Sequence, residues 1–399
     1  MGRTENGSGL RTKRVLPVLL AGLLIIAGCA GQEEAEQSFD EASESDTGED
    51  TEPINEEAAE RDEEVDAEAF YEGQTIEIIV PFGAGGGTDA IGRFLSEWYM
   101  QYLPGNPTVQ VRNVPGGGSI LGGNEFHLQS PRDGSVVMLT ASSNLILEGL
   151  GHPAIEYDTT EWTPVLGAPQ GAVVFVRPDL GLADDWSNSQ DLDFVAAMRE
   201  PGGVDALFLL AYDMLEIDVT PVFGYESAAA SRTAFEQGES NIEWSTTPGY
   251  RDHVEPMIEA GEAEPWFSLG AAENGSLVRD PAHPDVPHIG EVYEELHGEP
   301  PSGELWDIYL RFRSVNSDSE RIVWLHSDAP PEAIEAFTEA GHAMVQDPDF
   351  VSAAEESMGP YAMLVGDDLA AIRDNLALPP ADAEYILDFL YDEYGYELE

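Results

Sequence analysis

Two glycine runs are the stretches of this chain best suited to chemistry. Gly83-Ala84-Gly85-Gly86-Gly87 leads into Thr88-Asp89, and Gly116-Gly117-Gly118 leads into Ser119. Each run follows a short β-rich stretch and precedes a helical pattern. Backbone N–H groups without shielding side chains therefore gather where a helix begins and its dipole is positive. Such a corner can cradle an anion and suits a carboxylate. A dinucleotide fingerprint fails, because Thr88 stands where its third glycine belongs. A phosphate P-loop fails for want of lysine, since the one lysine, Lys13, lies far upstream. Glycines that merely permit a tight turn would explain either run alone; two runs before two helices favour a binding role. A Cβ branch at Gly86 or Gly117 is expected to block the close approach of an anion to the backbone.

Other candidate groups are hydroxyls. Ser142 and Ser143 end an apolar run, and Tyr225 and Ser227 sit in a turn-like stretch; all four are read either as donors to ligand oxygens or as structural residues. A serine nucleophile needs a base beside it, and no Gly-x-Ser-x-Gly elbow is present. None of the eight histidines stands in His-Glu-x-x-His spacing, and His283 and His288 are read as solvated loop residues. With a single cysteine, Cys29, there is no internal disulfide and no cysteine zinc site. No catalytic residue, metal or cofactor is expected, and the chain is not read as an enzyme.

The elements that must position these groups follow the α/β pattern. Thr75–Phe82 reads as a buried strand, and Ile91, Phe94, Leu95, Trp98 and Tyr102 form one apolar helix face with Thr88 as N-cap. The pattern repeats with a strand at 108–112, a helix at 120–129 and a strand at 135–140. Sites in such folds lie at the carboxyl ends of strands. The amphipathic segment 383–390 is expected to pack on the core.

Acids outnumber bases by 77 to 17, a formal charge of −60, which excludes nucleic acid and an anionic membrane face as main partners. Arg11, Lys13 and Arg14 precede an apolar run from Val15 to Ile26, then Ala27-Gly28-Cys29. That is the pattern of a signal peptide, too short for a spanning helix. Ile26-Ala27-Gly28-Cys29 resembles a lipobox, which implies cleavage after residue 28 and a lipid on Cys29. From Gln32 to Ala69 there are 18 acids and one arginine, so residues 29–69 are expected to form a disordered, self-repelling tether. The tether carries about −17 and the leader about +3, which leaves about −46 on the remainder. Such acidity suggests a high-salt habitat.

Several stretches, taken in order, are similar to the periplasmic receptors of tripartite tricarboxylate transporters, the Bug proteins. They are Ile78 to Asp89, the Asn113-Val114-Pro115-Gly116-Gly117 loop, the Pro131-Arg132-Asp133-Gly134 turn, Phe223 to Ser227, His283 to Glu291, and Ala329-Pro330-Pro331. The resemblance implies a two-lobed, type 2-like periplasmic-binding-protein fold of two α/β domains closing on a small carboxylated ligand. One lobe is expected from residues 70–172 plus 303–399 and the other from 173–302. By resemblance, Phe82, Gly83, Ala84, Gly85, Gly86, Gly87, Thr88, Asp89, Gly116, Gly117, Gly118 and Ser119 would meet the ligand from two loops, with Ser142, Ser143, Tyr225 and Ser227 beside them. The implied partners are a di- or tricarboxylate and the large and small membrane subunits of the transporter. The receptor would be monomeric, lipid-anchored and extracytoplasmic. A sensor for a signalling partner, and a hydrolase on a similar scaffold, are the alternatives. Two departures from the family pattern stand out: a shortened second-lobe loop at 202–208, and extra sequence from Arg311 to Asp328.

Overall fold

The computed structural model describes residues 70–398 apart from 183–185, 274–275, 319, 367 and 370–377; the leader, Cys29 and the tether lie outside the described residues. Strand β1 (Thr75–Val80) pairs in parallel with β2 (Thr108–Asn113) and with β3 (Val136–Ala141). Between them run α1 (Gly87–Tyr102) and α2 (Ile120–Gln129), while α3 (Ser142–Gly149) leaves the end of β3. Strand β4 (Trp162–Gly167) completes this sheet only through β12 (Arg321–His326), which is antiparallel to both β3 and β4. The order is β2-β1-β3-β12-β4.

A second sheet repeats that plan. Strands β6 (Asp193–Ala197), β7 (Asp218–Val222) and β8 (Ile242–Thr246) are parallel, and β5 (Ala172–Val176) is antiparallel to β8 and to β9 (Glu264–Ser268). The order β7-β6-β8-β5-β9 matches the first sheet strand for strand, with β5 in the place of β12. Helix α4 (Asp205–Met214) follows β6 and α5 (Ala228–Gln237) follows β7. Beyond β9 come the hairpin β10 (Ala271–Glu273) and β11 (Ser276–Val278), then α6 (Ile289–His297) and α7 (Glu304–Asp318). After β12 follow α8 (Pro331–Gln346), α9 (Pro348–Met358) and α10 (Pro380–Tyr394).

Alternation along the strands feeds a core on each face of each sheet, as a sheet covered on both sides requires. In β1, Ile76, Ile78 and Val80 join Phe337 and Tyr99 on one face, whereas Ile79 joins Phe126, Trp162 and Trp324 on the other. In β5, Ala172, Val174 and Val176 face the largest core, while Val173 and Phe175 meet Phe235 and Tyr250. That largest core holds Phe208 of α4, Phe312 of α7 and Ile386 and Leu390 of α10. By packing, then, α7 and α10 accompany the second sheet, although their chain positions fall in the 303–399 segment assigned from sequence to the first lobe.

The Arg311–Asp328 stretch, a departure from the family pattern in sequence, is part of the core. It supplies the end of α7 and the whole of β12, a central strand of the first sheet. The crossover from β4 to β5 is pinned tightly. Thr247 donates its backbone N–H to the Gly171 carbonyl, and its hydroxyl bonds both Tyr361 and His283. The Tyr361 hydroxyl in turn donates to Asp280 at 2.6 Å. His283 is buried here and not solvated as expected from its Pro-rich surroundings. His288 is half-buried and caps α6 by accepting from the Gly290 N–H.

Candidate functional site

Helix α1 begins at Gly87, with Gly86 as an extended N-cap that has no capping side chain. Thr88, expected as the cap, lies inside the first turn. The first-turn amides of a helix have no carbonyl of their own to bond, and no hydroxyl covers them here. Asp89 explains the loop's shape. Its Oδ2 accepts from the Gly85 N–H at 2.9 Å and from Arg93 Nε, and its Oδ1 from Arg93 and from Asn113 Nδ2 at 3.0 Å. Asn113 also donates to the Phe82 carbonyl, tying the loop to the end of β2. Burial opposes ionisation of Asp89 most strongly, but the hydrogen bonds from Arg93, Gly85 and Asn113 together hold its carboxyl below the ordinary value. Asp89 is thus a brace beneath the loop, with both oxygens occupied.

A small cavity of about 40 Å³ opens at the carboxyl ends of β1, β3, β6 and β8. Phe82, Gly86, Gly87 and Thr88 line it from the first loop, Ser142 and Ser143 from the start of α3, and Ser227 from the start of α5. The helix starts of α1, α3 and α5 therefore all face one space, and their positive ends add there. The close approach at Gly87 is obligatory: a Cβ on it would lie 2.6 Å from Thr246 Oγ1 and 3.6 Å from an Arg321 nitrogen. At Gly86, which also lines the cavity, a Cβ would meet only the Gly83 carbonyl oxygen at 3.8 Å, so the protein itself leaves room for a side chain there.

The expected hydroxyls divide by role. Ser142 Oγ donates to Glu320 Oε2 at 2.6 Å and accepts from Asn316 Nδ2 at 2.7 Å, which fills it. Ser143 Oγ accepts from the Val204 N–H at 3.3 Å and keeps its proton for another partner. Ser227 caps α5 by accepting from the Ala230 N–H at 3.2 Å. Gly116, Gly117, Gly118 and Ser119 all have positive φ and turn around a separate, neighbouring cavity of about 150 Å³, which Tyr225 also lines. Ser119 is fully buried with φ 117° and an unpartnered hydroxyl, a strained conformation for a residue with a Cβ. Gly83, Ala84 and Gly85 lie outside the residues lining either cavity; Gly83 packs against Ser227.

Sequence reasoning missed the charged groups. Arg199, just past β6, donates to Asp205 Oδ1 at 3.0 Å, and its guanidinium lies 4.1 Å from the centre of the Trp244 ring. Arg321, the first residue of β12, is 4% exposed and donates to Glu320 Oε1 at 2.6 Å, but its Nε has no partner. Burial pushes the Arg321 guanidinium below its ordinary value; Glu320 opposes this and Arg199 adds to it. Both arginines line the cavity at the start of α1. Glu243, buried beside them, has its carboxyl raised well above the ordinary value, first by burial, which favours the neutral acid. No glycine run or spacing announces Arg199 or Arg321, each of which only follows or opens an apolar strand. Among the described residues, no group of three or more His, Cys, Asp or Glu is placed to hold a metal ion, and no helix is long and apolar enough to cross a membrane.

Two α/β sheets of identical strand order, with a cavity at the carboxyl ends of their parallel strands, define a two-lobed periplasmic-binding-protein fold. The solved structure of the periplasmic binding protein BugD shares it, with a TM-score of 0.59, 19% identity, and coverage of 82% of this chain and 99% of that one. So does MatC of Rhodopseudomonas palustris, solved with bound malate, with a TM-score of 0.56, 16% identity, and coverage of 78% and 98%. No protein-family model matches the chain. In sequence, 92 residues are 36% identical to Protein BugT of Bordetella pertussis, a match spanning 23% of this chain and about a quarter of that relative's length. The resemblance to the Bug proteins is thereby borne out, over that stretch in sequence and over most of the chain in fold.

Proposed function

We propose that the chain is an extracytoplasmic solute receptor. It captures a small organic carboxylate, di- or tricarboxylate-like, and delivers it to the large and small membrane subunits of a tripartite tricarboxylate-type transporter. The observation that carries the reading is Arg321. The buried guanidinium of Arg321 lines the same cavity as the uncapped start of α1, with a terminal nitrogen 3.6 Å from where a Cβ on Gly87 would lie, and one oxyanion can meet both. The amides of Gly87 and Thr88, the Ser143 hydroxyl and Arg321 offer donors to one carboxylate; charge-assisted bonds of this kind contribute roughly 1.5–3 kcal/mol each. Malate in MatC supports a carboxylate as cargo. Residues 1–28 serve as leader, Cys29 carries the lipid, and 29–69 tether a monomer of two lobes, one built on each sheet.

A thermal-shift screen of organic acids in high salt tests this. Ligand at about 100 times its Kd stabilises the folded state by about 2.7 kcal/mol, a shift of several degrees. At least one di- or tricarboxylate is expected to raise Tm. If none does, the receptor reading falls, and turnover of simple esters or amides would point to a hydrolase.

A further inference from the structure

We propose that Arg199 and Arg321, one from each sheet, are the specificity-determining residues of the cavity and that together they select a dianion. One carboxylate lies against Arg321 and the start of α1, and the second against Arg199 where the two cavities adjoin. The inference rests on the carboxylate reading above and adds to it the number of charges that the site reads.

Several observations carry it. Both side chains are less than a tenth exposed, yet both face the cavity. Each is held by an acid of its own, Arg199 by Asp205 and Arg321 by Glu320. Those acids steady the guanidinium groups and leave part of each at the cavity wall: an Arg321 terminal nitrogen lies 3.6 Å from where a Cβ on Gly87 would stand, and Arg199 lines the second cavity as well as the first. The two guanidinium groups are near enough to repel one another. A ligand with one negative end can engage one of them; a ligand negative at both ends can engage both. The second cavity supplies room beyond Arg199, between the 116–119 turn and Tyr225; Glu200 and Glu226 also line it, which confines a second carboxylate to the side that Arg199 forms. The aim of Arg321 is also built in. Arg313 donates to the Gly270 carbonyl and to Asn316 Oδ1, and Asn316 donates to Ser142 Oγ and Glu320 Oε2. This buried chain makes Glu320 and Asn316 positioning residues for the arginine.

The test is calorimetry on the full chain with matched probes. Malonate, succinate, glutarate and adipate are compared with the monomethyl esters of the same acids. The wild type is expected to bind its best diacid at least tenfold more tightly than the matching ester. Arg199→Gln should shrink that ratio to threefold or less. Arg321→Gln should weaken the diacid by thirtyfold or more, and Arg321→Lys, which keeps the charge but lacks Nε, by tenfold or more. The lysine variant serves where the glutamine variant fails to melt cooperatively. Equal affinity for diacid and ester in the wild type overturns the inference while leaving the carboxylate receptor intact. An unchanged ratio in Arg199→Gln does the same. Binding of neither diacids nor esters removes the underlying reading itself.

Discussion

Gly87 and Gly86 stand side by side in the same loop, and their substitutions should differ sharply. A methyl group on Gly87 would press on the Thr246 hydroxyl and on Arg321, so either the cavity fills or the sheets part there. Gly87→Ala is expected to weaken carboxylate binding about tenfold or more, roughly 1.4 kcal/mol. Gly86 has φ −94° and ψ 171°, backbone open to any residue, and ordinary space around a Cβ. Gly86→Ala should stay within about threefold of the wild type, which is under ~0.7 kcal/mol. Calorimetry with the tightest acid from the screen separates the two, and equal losses at both positions would show that the anion does not sit against the start of α1.

The first glycine loop is one element only because Asp89 ties its parts together. Replacing the carboxylate with an amide in Asp89→Asn removes the acceptor for Arg93 and leaves the Gly85 N–H poorly paired, at a cost of about 1–3 kcal/mol. The pH dependence has a defined sign. The folded protein holds this carboxyl below its ordinary value, so its stabilising effect is present above that value and lost as pH falls through it. The gap in Tm between wild type and Asp89→Asn should therefore be full at pH 7 and narrow progressively below about pH 4; a gap that widens on acidification would be incompatible with this. Elements of this first half were legible in sequence because strand, glycine turn and helix alternate cleanly from Thr75 to Ala141, with the expected strands matched to within a residue or two. The site was only half legible. Helix starts are written as glycines and hydroxyls, whereas Arg199 and Arg321 reach the cavity through sheet topology, which brings residues more than 120 positions apart to one place. Arg321-Ile322-Val323-Trp324-Leu325-His326 did carry a signal, an apolar run opened by a charge pair and closed by Ser327-Asp328. It passed as surplus because a strand's place in a sheet is set by pairing partners that local pattern does not name.

For the molecule as a whole the question is how a body of formal charge −60 attracts an anion. Exposed charges repel an approaching carboxylate over distances that salt shortens, to a Debye length of about 3 Å at 1 M. The buried guanidinium groups and helix-start amides act at contact distance and are screened much less. Affinity should accordingly hold or rise between about 0.1 and 1 M salt; a steady fall in titrations across that range would mean that exposed arginines do the binding. The strand order has a separate outcome for how the protein is made. Strand β4 pairs along its length with β12, and its last residue, Gly167, also bridges to Leu364, so among the described residues each partner lies more than 150 positions further along the chain. A nascent polypeptide emerging from the ribosome therefore holds Trp162 to Gly167 without a mate until nearly its last fifth is synthesised, and such distant closure is slow.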